Sequence, residues 1–349
     1  MHGDPTPRSD DPTRDTRGAA VPSTRSAARS IAGAVRTSSL SARLGIIAAL
    51  LIIVFVTGAQ HPQFLTVTSL ANVAQQAAFF GIISLGMVFL LAMGEVDLSV
   101  GGNYMVCAVV GALAIQSGLD PWLAGVISIV LGAGLGFVNG LLATVLRVPV
   151  IIVTLGTLTL YMGLGLVASG SNSITDSPSD TSMFDVLGRS YLGFPAIAWV
   201  LVILTVVLAL VFTRSRFGFG VRAIGSNKQA AILSGYPTAR MLMQTTALVG
   251  GLAGVSSVMT VSFFAGADPN LGRSYELLVI AAAVIGGTSL TGGSGTVVGA
   301  MLGAFVIAVI NAALLQFGVS ADWTTLVTGA VIVAAVALDA IVRRVRRQP

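Results

Sequence analysis

The sequence predicts an all-α polytopic membrane protein with about ten transmembrane helices, several of them short or broken, and a short helix in a central cytoplasmic loop. Three observations carry this. Of the 349 residues, 54% are hydrophobic and only 9% charged, with a mean hydropathy of +0.90, whereas soluble domains carry roughly 25% charged residues. Several stretches reach the roughly 18–20 apolar residues that cross a bilayer. The Lys and Arg residues gather in short connectors and tails, the pattern that sets membrane orientation. The net charge of +5 and the pI near 10.0 therefore reflect topology and do not point to a nucleic-acid partner.

Residues 1–43, rich in Pro, Ser, Thr, Asp and Arg and without apolar periodicity, read as a disordered cytoplasmic N-terminal tail. Residues 44–342 form the membrane domain, with spans expected at 44–59, 70–93, 100–117, 122–146, 149–169, 195–213, 241–264, 277–290, 296–317 and 324–342; the eighth is short. Residues 343–349 form a basic cytoplasmic C-terminal tail. With an inside start, seventeen of the 19 Lys and Arg fall on one side: seven in the tail, Arg147, five within 214–240, and Arg343, Arg344, Arg346 and Arg347. Only Arg189 and Arg273 fall on the other. This bias places both termini in the cytoplasm. The outer side carries Asp120, Asp176, Asp180, Asp185, Asp268, Glu276 and Asp322, and a loop at 171–191 too short to fold as a separate domain.

The basic island at 214–240 is the stretch least able to enter lipid. Within it, Ser226 or Asn227 is placed to cap a short helix ending at Gly235, with Pro237 just beyond. A helix of about two turns is marginal alone in water, so it is expected to rest on the membrane helices and to contact a partner.

Glycine is abundant, 41 residues, and concentrated in and around spans. Gly132, Gly136 and Gly140 form overlapping GxxxG spacings, which serve either a dimer face or packing within the chain. The cluster GGTSLTGGSG at 286–295 reads as a helix break, as does GEVDLSVG at 94–101. Broken helices in membrane proteins line cavities or meet protein rather than lipid.

Glu95 and Asp97 stand alone among apolar neighbours at the inner end of the second span. A carboxylate there serves a gate or solute path, or Asp97 or Ser99 simply caps the next helix. Asn139 and Asn311 lie inside spans and bond either across helices or to a polyhydroxylated solute; Thr154, Thr157 and Thr159 add hydroxyls. The two histidines are His2, in the tail, and His61, near the outer surface, and Cys107 is the single cysteine. No zinc site or Ser-His-acid arrangement can be assembled from them. There is also no GxxxxGK[ST] phosphate loop.

Several blocks carry a family likeness: GEVDLSVG at 94–101, GFVNGLL at 136–142, RVPVIIVTLGTL at 147–158, RFGFGVRAIGSNKQAAILSGY at 216–236, and YELLVIAAAVIGGTSLTGGSGTVVGAMLGA at 275–304. Over roughly residues 65–342 the chain resembles the permease subunits of bacterial ABC importers for simple sugars, the ribose, xylose and galactose group. The resemblance implies a homodimer of two permease copies in the bacterial cytoplasmic (inner) membrane. It also implies a cytoplasmic ATP-binding subunit, an extracytoplasmic solute-binding protein and a small-molecule sugar as solute. ATP and Mg would belong to the partner ATPase, with no cofactor in this chain and no enzymatic activity of its own. The family's coupling helix, which meets the ATPase, matches Arg222, Gly225, Asn227, Ala230, Ala231 and Gly235 here. Glu95, Asp97, Ser99, Asn139, Thr154 and Asn311 are the candidate gate or translocation-path residues. Two departures stand out: the family commonly has Gly at the position of Glu95, and Arg at the position of Ser294. Two alternatives are a related ABC permease for branched-chain amino acids or nucleosides and, in another class, an ion-coupled secondary carrier.

Overall fold

In a computed structural model of the chain, residues 44–175 and 182–319 are described, together with positions 323, 326, 327, 329, 330, 333 and 337. The two expected tails and most of the tenth expected span lie outside the described residues. Six described helices are long and apolar enough to cross a membrane: α2 (Val67–Ala92), α4 (Pro121–Leu146), α5 (Val150–Ser169), α7 (Ala196–Arg214), α10 (Thr238–Phe264) and α12 (Val297–Gln316). Three shorter apolar helices join them: α1 (Leu44–Gln60), α3 (Val100–Gln116) and α11 (Tyr275–Ile285). These nine correspond to the first nine expected spans. The remaining helices are short: α6 (Ser182–Leu187), α8 (Arg216–Ser226) and α9 (Lys228–Leu233), with a hairpin of β1 (Ser190–Tyr191) and β2 (Phe194–Pro195) between α6 and α7. We call the end of the bundle that carries α8 and α9 basal and the opposite end apical.

Helix α2 is apolar on every face, and such a helix belongs inside a bundle. It is buried along nearly all its length and packs against α7, α10, α11 and α12. Helices α4, α5 and α7 lie outside it and leave rows of exposed aliphatic side chains, among them Val130, Leu155, Leu160, Ile203 and Val206. Such rows meet hydrocarbon at no cost.

The closest helix pairing is α4 against α10, and glycine makes it possible. Gly132 meets the backbone of Gly250, Gly136 meets Thr246, and Gly254 meets Ser128 and Ile129. Three of the four glycines of α4's small-residue stripe are therefore used within the chain: Gly132, Gly136 and Gly140 all face α10, while Gly134 has nothing within 4 Å. Of the two readings open from sequence, intrachain packing is the one this seam satisfies.

Two helices begin inside the bundle rather than at its surface. Helix α11 has 11 residues, so it rises only about 16 Å, half of the roughly 30 Å hydrocarbon thickness. Its first residue, Tyr275, lies 6.4 Å from Phe80 (ring centroids), in the middle of α2. Glu276, expected on the outer surface, is instead set deep in the bundle by this geometry. The sequence hides this because the apical loop that precedes α11 descends before the helix starts. Helix α3 likewise starts deep: Asn103 in its first turn donates from Nδ2 to the Gly132 carbonyl at 3.0 Å, midway along α4.

Candidate functional site: a basal junction and a buried polar chain

The basal end is built by α8 and α9. Ser215 caps α8, its Oγ accepting from the Gly218 N–H at 3.0 Å. Gly218, Gly220, Val221 and Ile224 form its buried face. The guanidinium of Arg222 lies 5.2 Å from the centroid of the Phe212 ring, and its Nε donates to the Gly218 carbonyl at 3.2 Å, which pins α8 to the end of α7. Of the two cap candidates, Asn227 is used: its Oδ1 accepts from the Ala230 N–H at 3.0 Å. Gly235 ends the segment with φ +82°, and the Tyr236 N–H returns to the Ala231 carbonyl at 3.0 Å, a left-handed C-terminal cap.

Two neighbouring alanines face opposite ways. Ala231 is buried against its own chain, whereas Ala230 is exposed, as are Ile232 and, at 87% exposure, Leu233. A bulky residue at Ala231 would therefore disturb the chain's own packing, whereas one at Ala230 would not.

At Gly225 three pieces of backbone meet. A Cβ there would strike the Ala92 carbonyl oxygen at the end of α2 and stand 2.7 Å from the Gly293 nitrogen. The Gly293 N–H donates to that same Ala92 carbonyl at 2.9 Å. Gly94, Gly292 and Gly293 adopt φ between +80° and +86°, a region open to glycine. The two glycine-rich breaks expected from sequence are thus both real, and they touch. Glu95, in the first break, forms an ion pair with Lys228 of α9, Oε1 to Nζ 3.8 Å.

Deeper in the bundle, four of the expected path residues come together. Asp97 is buried, and its Oδ1 accepts from the Ser99 N–H at 2.7 Å and the Ser99 hydroxyl at 2.6 Å. Ser99 Oγ in turn accepts from Asn139 Nδ2 at 2.7 Å, and Asn139 Oδ1 accepts from the Tyr161 hydroxyl at 3.0 Å. Thr154 Oγ1 accepts from the Leu98 N–H at 3.1 Å. Asn139 is seven residues from the basal end of α4, so the chain of bonds sits about 10 Å into the bundle. A buried carboxylate at such depth needs every bond it can find, and this one fastens the α2–α3 connection to α4 and α5. Asn311 does not join this group: α12 packs on α2, α7 and α11.

An open cavity of about 450 Å³ lies beside the junction at the basal end, lined by Met93, Glu95, Thr144, Arg147, Lys228 and Leu242 among others, and by none of Asp97, Ser99, Asn139, Thr154 and Tyr161. That is within the size range of small-molecule sites, roughly 300–1,000 Å³. Among the described residues, no three His, Cys, Asp or Glu side chains gather as metal ligands.

Sequence reasoning missed three residues here. Lys228 was only a charge in a basic island, yet it is the partner of Glu95. Tyr161 follows Thr154 and Thr157 at helical spacing, and all three are buried on one face of α5, so the pattern was available. Glu276 could not be placed without the length of α11.

A bundle of apolar helices with glycine-broken segments, a deep polar chain and an exposed basal helix pair defines a membrane-embedded permease component. Residues 69–336 match the family described as branched-chain amino acid transport system / permease component. The chain is 38% identical to the ribose import permease protein RbsC of Bacillus subtilis, over 85% of this chain and 92% of that one. It is 32% identical to the D-allose transport system permease protein AlsC of Escherichia coli, over 84% and 90%. It is also 32% identical to the autoinducer 2 import system permease protein LsrC of Salmonella typhimurium, over 83% and 85%. No solved structure matches the chain significantly. The chain belongs to this family and is a permease component of an ABC-type importer, a translocation subunit rather than an enzyme.

Proposed function

We propose that this chain forms the solute path of an ATP-driven importer for a monosaccharide and couples that path to a separate ATPase. It works as a homodimer in the bacterial inner membrane, with both termini and the α8–α9 end in the cytoplasm. An ATP-binding subunit docks on α9 and an extracytoplasmic solute-binding protein delivers the sugar. The named solutes of the relatives, ribose and D-allose, favour a sugar over an apolar amino acid.

The observation that carries the coupling reading is the backbone contact at Gly225. Any displacement of α8–α9 bears directly on the end of α2 and on the 286–295 break, with no flexible side chain between them. From Ala92 the chain continues through Glu95 to Asp97 and the polar chain. A push on the exposed tip at Leu233 is thereby passed to α3, α4 and α5, around the cavity.

Reconstitution in proteoliposomes with the ATPase and binding protein tests this. Leu233→Glu leaves the fold intact because the side chain touches little of its own chain. Losing an apolar interface anchor costs about 2 kcal/mol, so solute-stimulated ATP hydrolysis is expected to fall about thirtyfold. Uptake by the isolated chain under an ion gradient, or labelling of a cysteine in the 227–235 segment from outside intact cells, would refute the reading.

A further inference from the structure

The apical loop that precedes α11 is polar, strained and deep. After Phe264 the chain makes an antiparallel bridge between Ala267 and Ile174, and Ser173 Oγ donates to Asp268 Oδ2 at 2.8 Å, which fixes the loop's start at the apical end. It then descends. Gly272 reaches α3, where a Cβ on it would stand 3.1 Å from the Gly101 carbonyl, and the Tyr275 ring lies 5.0 Å from that of Tyr104. Ala265, Gly272 and Ser274 all take positive φ, at +52°, +84° and +64°. Two of these are not glycine, and a left-handed conformation costs such residues roughly 1–2 kcal/mol. The fold keeps the dip in spite of that cost.

The dip carries groups that hydrocarbon does not tolerate. Asn270, Arg273 and Ser274 are exposed, and Glu276 is partly exposed. One carboxylate oxygen of Glu276, Oε2, is sealed and has no hydrogen-bond partner. It lies against Gly101 in the first turn of α3, a helix start that lacks a side-chain cap bond and whose positive end favours the charge. A carboxylate half-way through a bilayer faces water or protein, not lipid. Tyr275, partly exposed and backed by the buried Tyr104 ring at 5.0 Å, precedes it in the chain, and an acid next to an aromatic ring suits a polyhydroxylated solute.

We propose that residues 268–276 line the apical half of the solute path and that Glu276 contacts the solute, its unsealed carboxylate oxygen accepting hydrogen bonds from the solute's hydroxyl groups. This rests on the importer reading above and names a solute-contacting residue within it.

Cysteine accessibility in the assembled transporter tests the placement. The native Cys107 is buried, so the wild-type chain gives the unreactive baseline. Arg273→Cys and Glu276→Cys are expected to react with a membrane-impermeant methanethiosulfonate added outside, with or without ATP. Val206→Cys, on an exposed apolar face of α7, is expected to react only with a lipid-soluble maleimide. If Glu276→Cys does not fold, Asn270→Cys reads the same surface. The placement is overturned if the loop cysteines react only with the lipid-soluble reagent, or if they form a disulfide with a second copy while the impermeant reagent does not reach them. With D-ribose as the probe, Glu276→Gln is expected to raise KM about tenfold, the loss of one charge-assisted hydrogen bond, with kcat little changed. A fall in kcat at unchanged KM overturns the contact role. Labelling reads water access whatever drives transport, so its failure counts against the loop alone. Failure of ATP-dependent import with labelling intact counts against the importer reading alone.

Discussion

Glycine does opposite work in two regions of this molecule. Along α4 and α10 it lies in unbroken helix, and its missing side chain lets two backbones touch through Gly132, Gly136, Gly250 and Gly254. At 94 and 286–295 it takes positive φ and ends helices instead, so that three chain segments converge on Gly225. The first arrangement makes a rigid pair, since interlocked backbones have no rotamers to adjust. The second makes a junction, where one displacement is felt by α2, α8 and the 286–295 break together. A transporter needs both, a frame that holds and a joint that transmits. The same residue type supplies each: close approach within helices in the frame, and positive-φ breaks meeting the helical Gly225 in the joint.

The largest effect separating the two belongs to the joint. Gly225→Val is expected to abolish solute import and to lower the yield of folded protein, because its side chain meets the carbonyl of Ala92 and the backbone of Gly293 at once. Neither neighbour can turn aside as a flexible side chain could. Import assays and detergent gel filtration read the two consequences separately. Near-normal import by Gly225→Val would mean that the junction opens freely and carries no force.

This division was only partly legible in the sequence. The spans were, because apolar runs bounded by charges leave few other options: α3, expected at 100–117, is Val100–Gln116, and α5, expected at 149–169, is Val150–Ser169. Both breaks were visible as glycine clusters. What the pattern concealed was α8. Its apolar residues Phe217, Val221 and Ile224 have helical spacing, but Gly218, Gly220 and Gly225 argue against a helix on propensity. Burial against α7 and α2 overrides that preference. Depth was concealed too. Asp97 reads as a cap at the membrane edge, yet it lies about 10 Å inside, because residues 93–99 turn back into the bundle before α3 begins. Which glycine faces which helix is a property of the pairing, and one strand of sequence does not carry it.

The rigid pair gives the next effect in size, with a built-in control. Gly132→Val faces the Gly250 carbonyl, the Gly254 nitrogen and the Cys107 Sγ, the last two 3.1 Å from an added Cβ. Overpacking of this kind is expected to cost about 3 kcal/mol and to lower the thermal unfolding midpoint by several degrees. Gly134→Ala, two residues on and facing open space, is expected to leave the midpoint unchanged or raise it, by up to about 1 kcal/mol of helix propensity. Equal shifts in both variants would mean that α4 does not sit in the register described.

Between frame and joint lies the polar chain. Asn139→Ala strips the Ser99 hydroxyl of its donor and the Tyr161 hydroxyl of an acceptor. Interhelical bonds in membranes are worth about 0.6–2 kcal/mol each, so thermal stability is expected to fall by about 1–2 kcal/mol. Tyr161→Phe removes one hydroxyl proton shared between Asn139 Oδ1 and the Leu135 carbonyl and is expected to cost less. The reverse order would show that Tyr161, through its second contact to the Leu135 carbonyl, is the anchor and Asn139 the passenger.

The smallest expected effect is at Glu95 and Lys228, and it is the most specific to the joint. The pair spans 3.8 Å, with the Lys228 side chain 63% and the Glu95 side chain 23% exposed. Such a pair is worth about 0.2–1 kcal/mol and weakens with salt, too little to hold α9 in place. Its value would lie in direction, because it ties α9 to the segment that leads to Asp97. A cycle of Glu95→Gln, Lys228→Met and the double variant, read as solute-stimulated ATP hydrolysis at low and high ionic strength, is expected to show non-additive losses that shrink at high salt. The exchange Glu95→Lys with Lys228→Glu is expected to recover part of the lost activity. Strictly additive losses with no salt dependence would mean that the pair transmits nothing between α9 and the segment leading to Asp97.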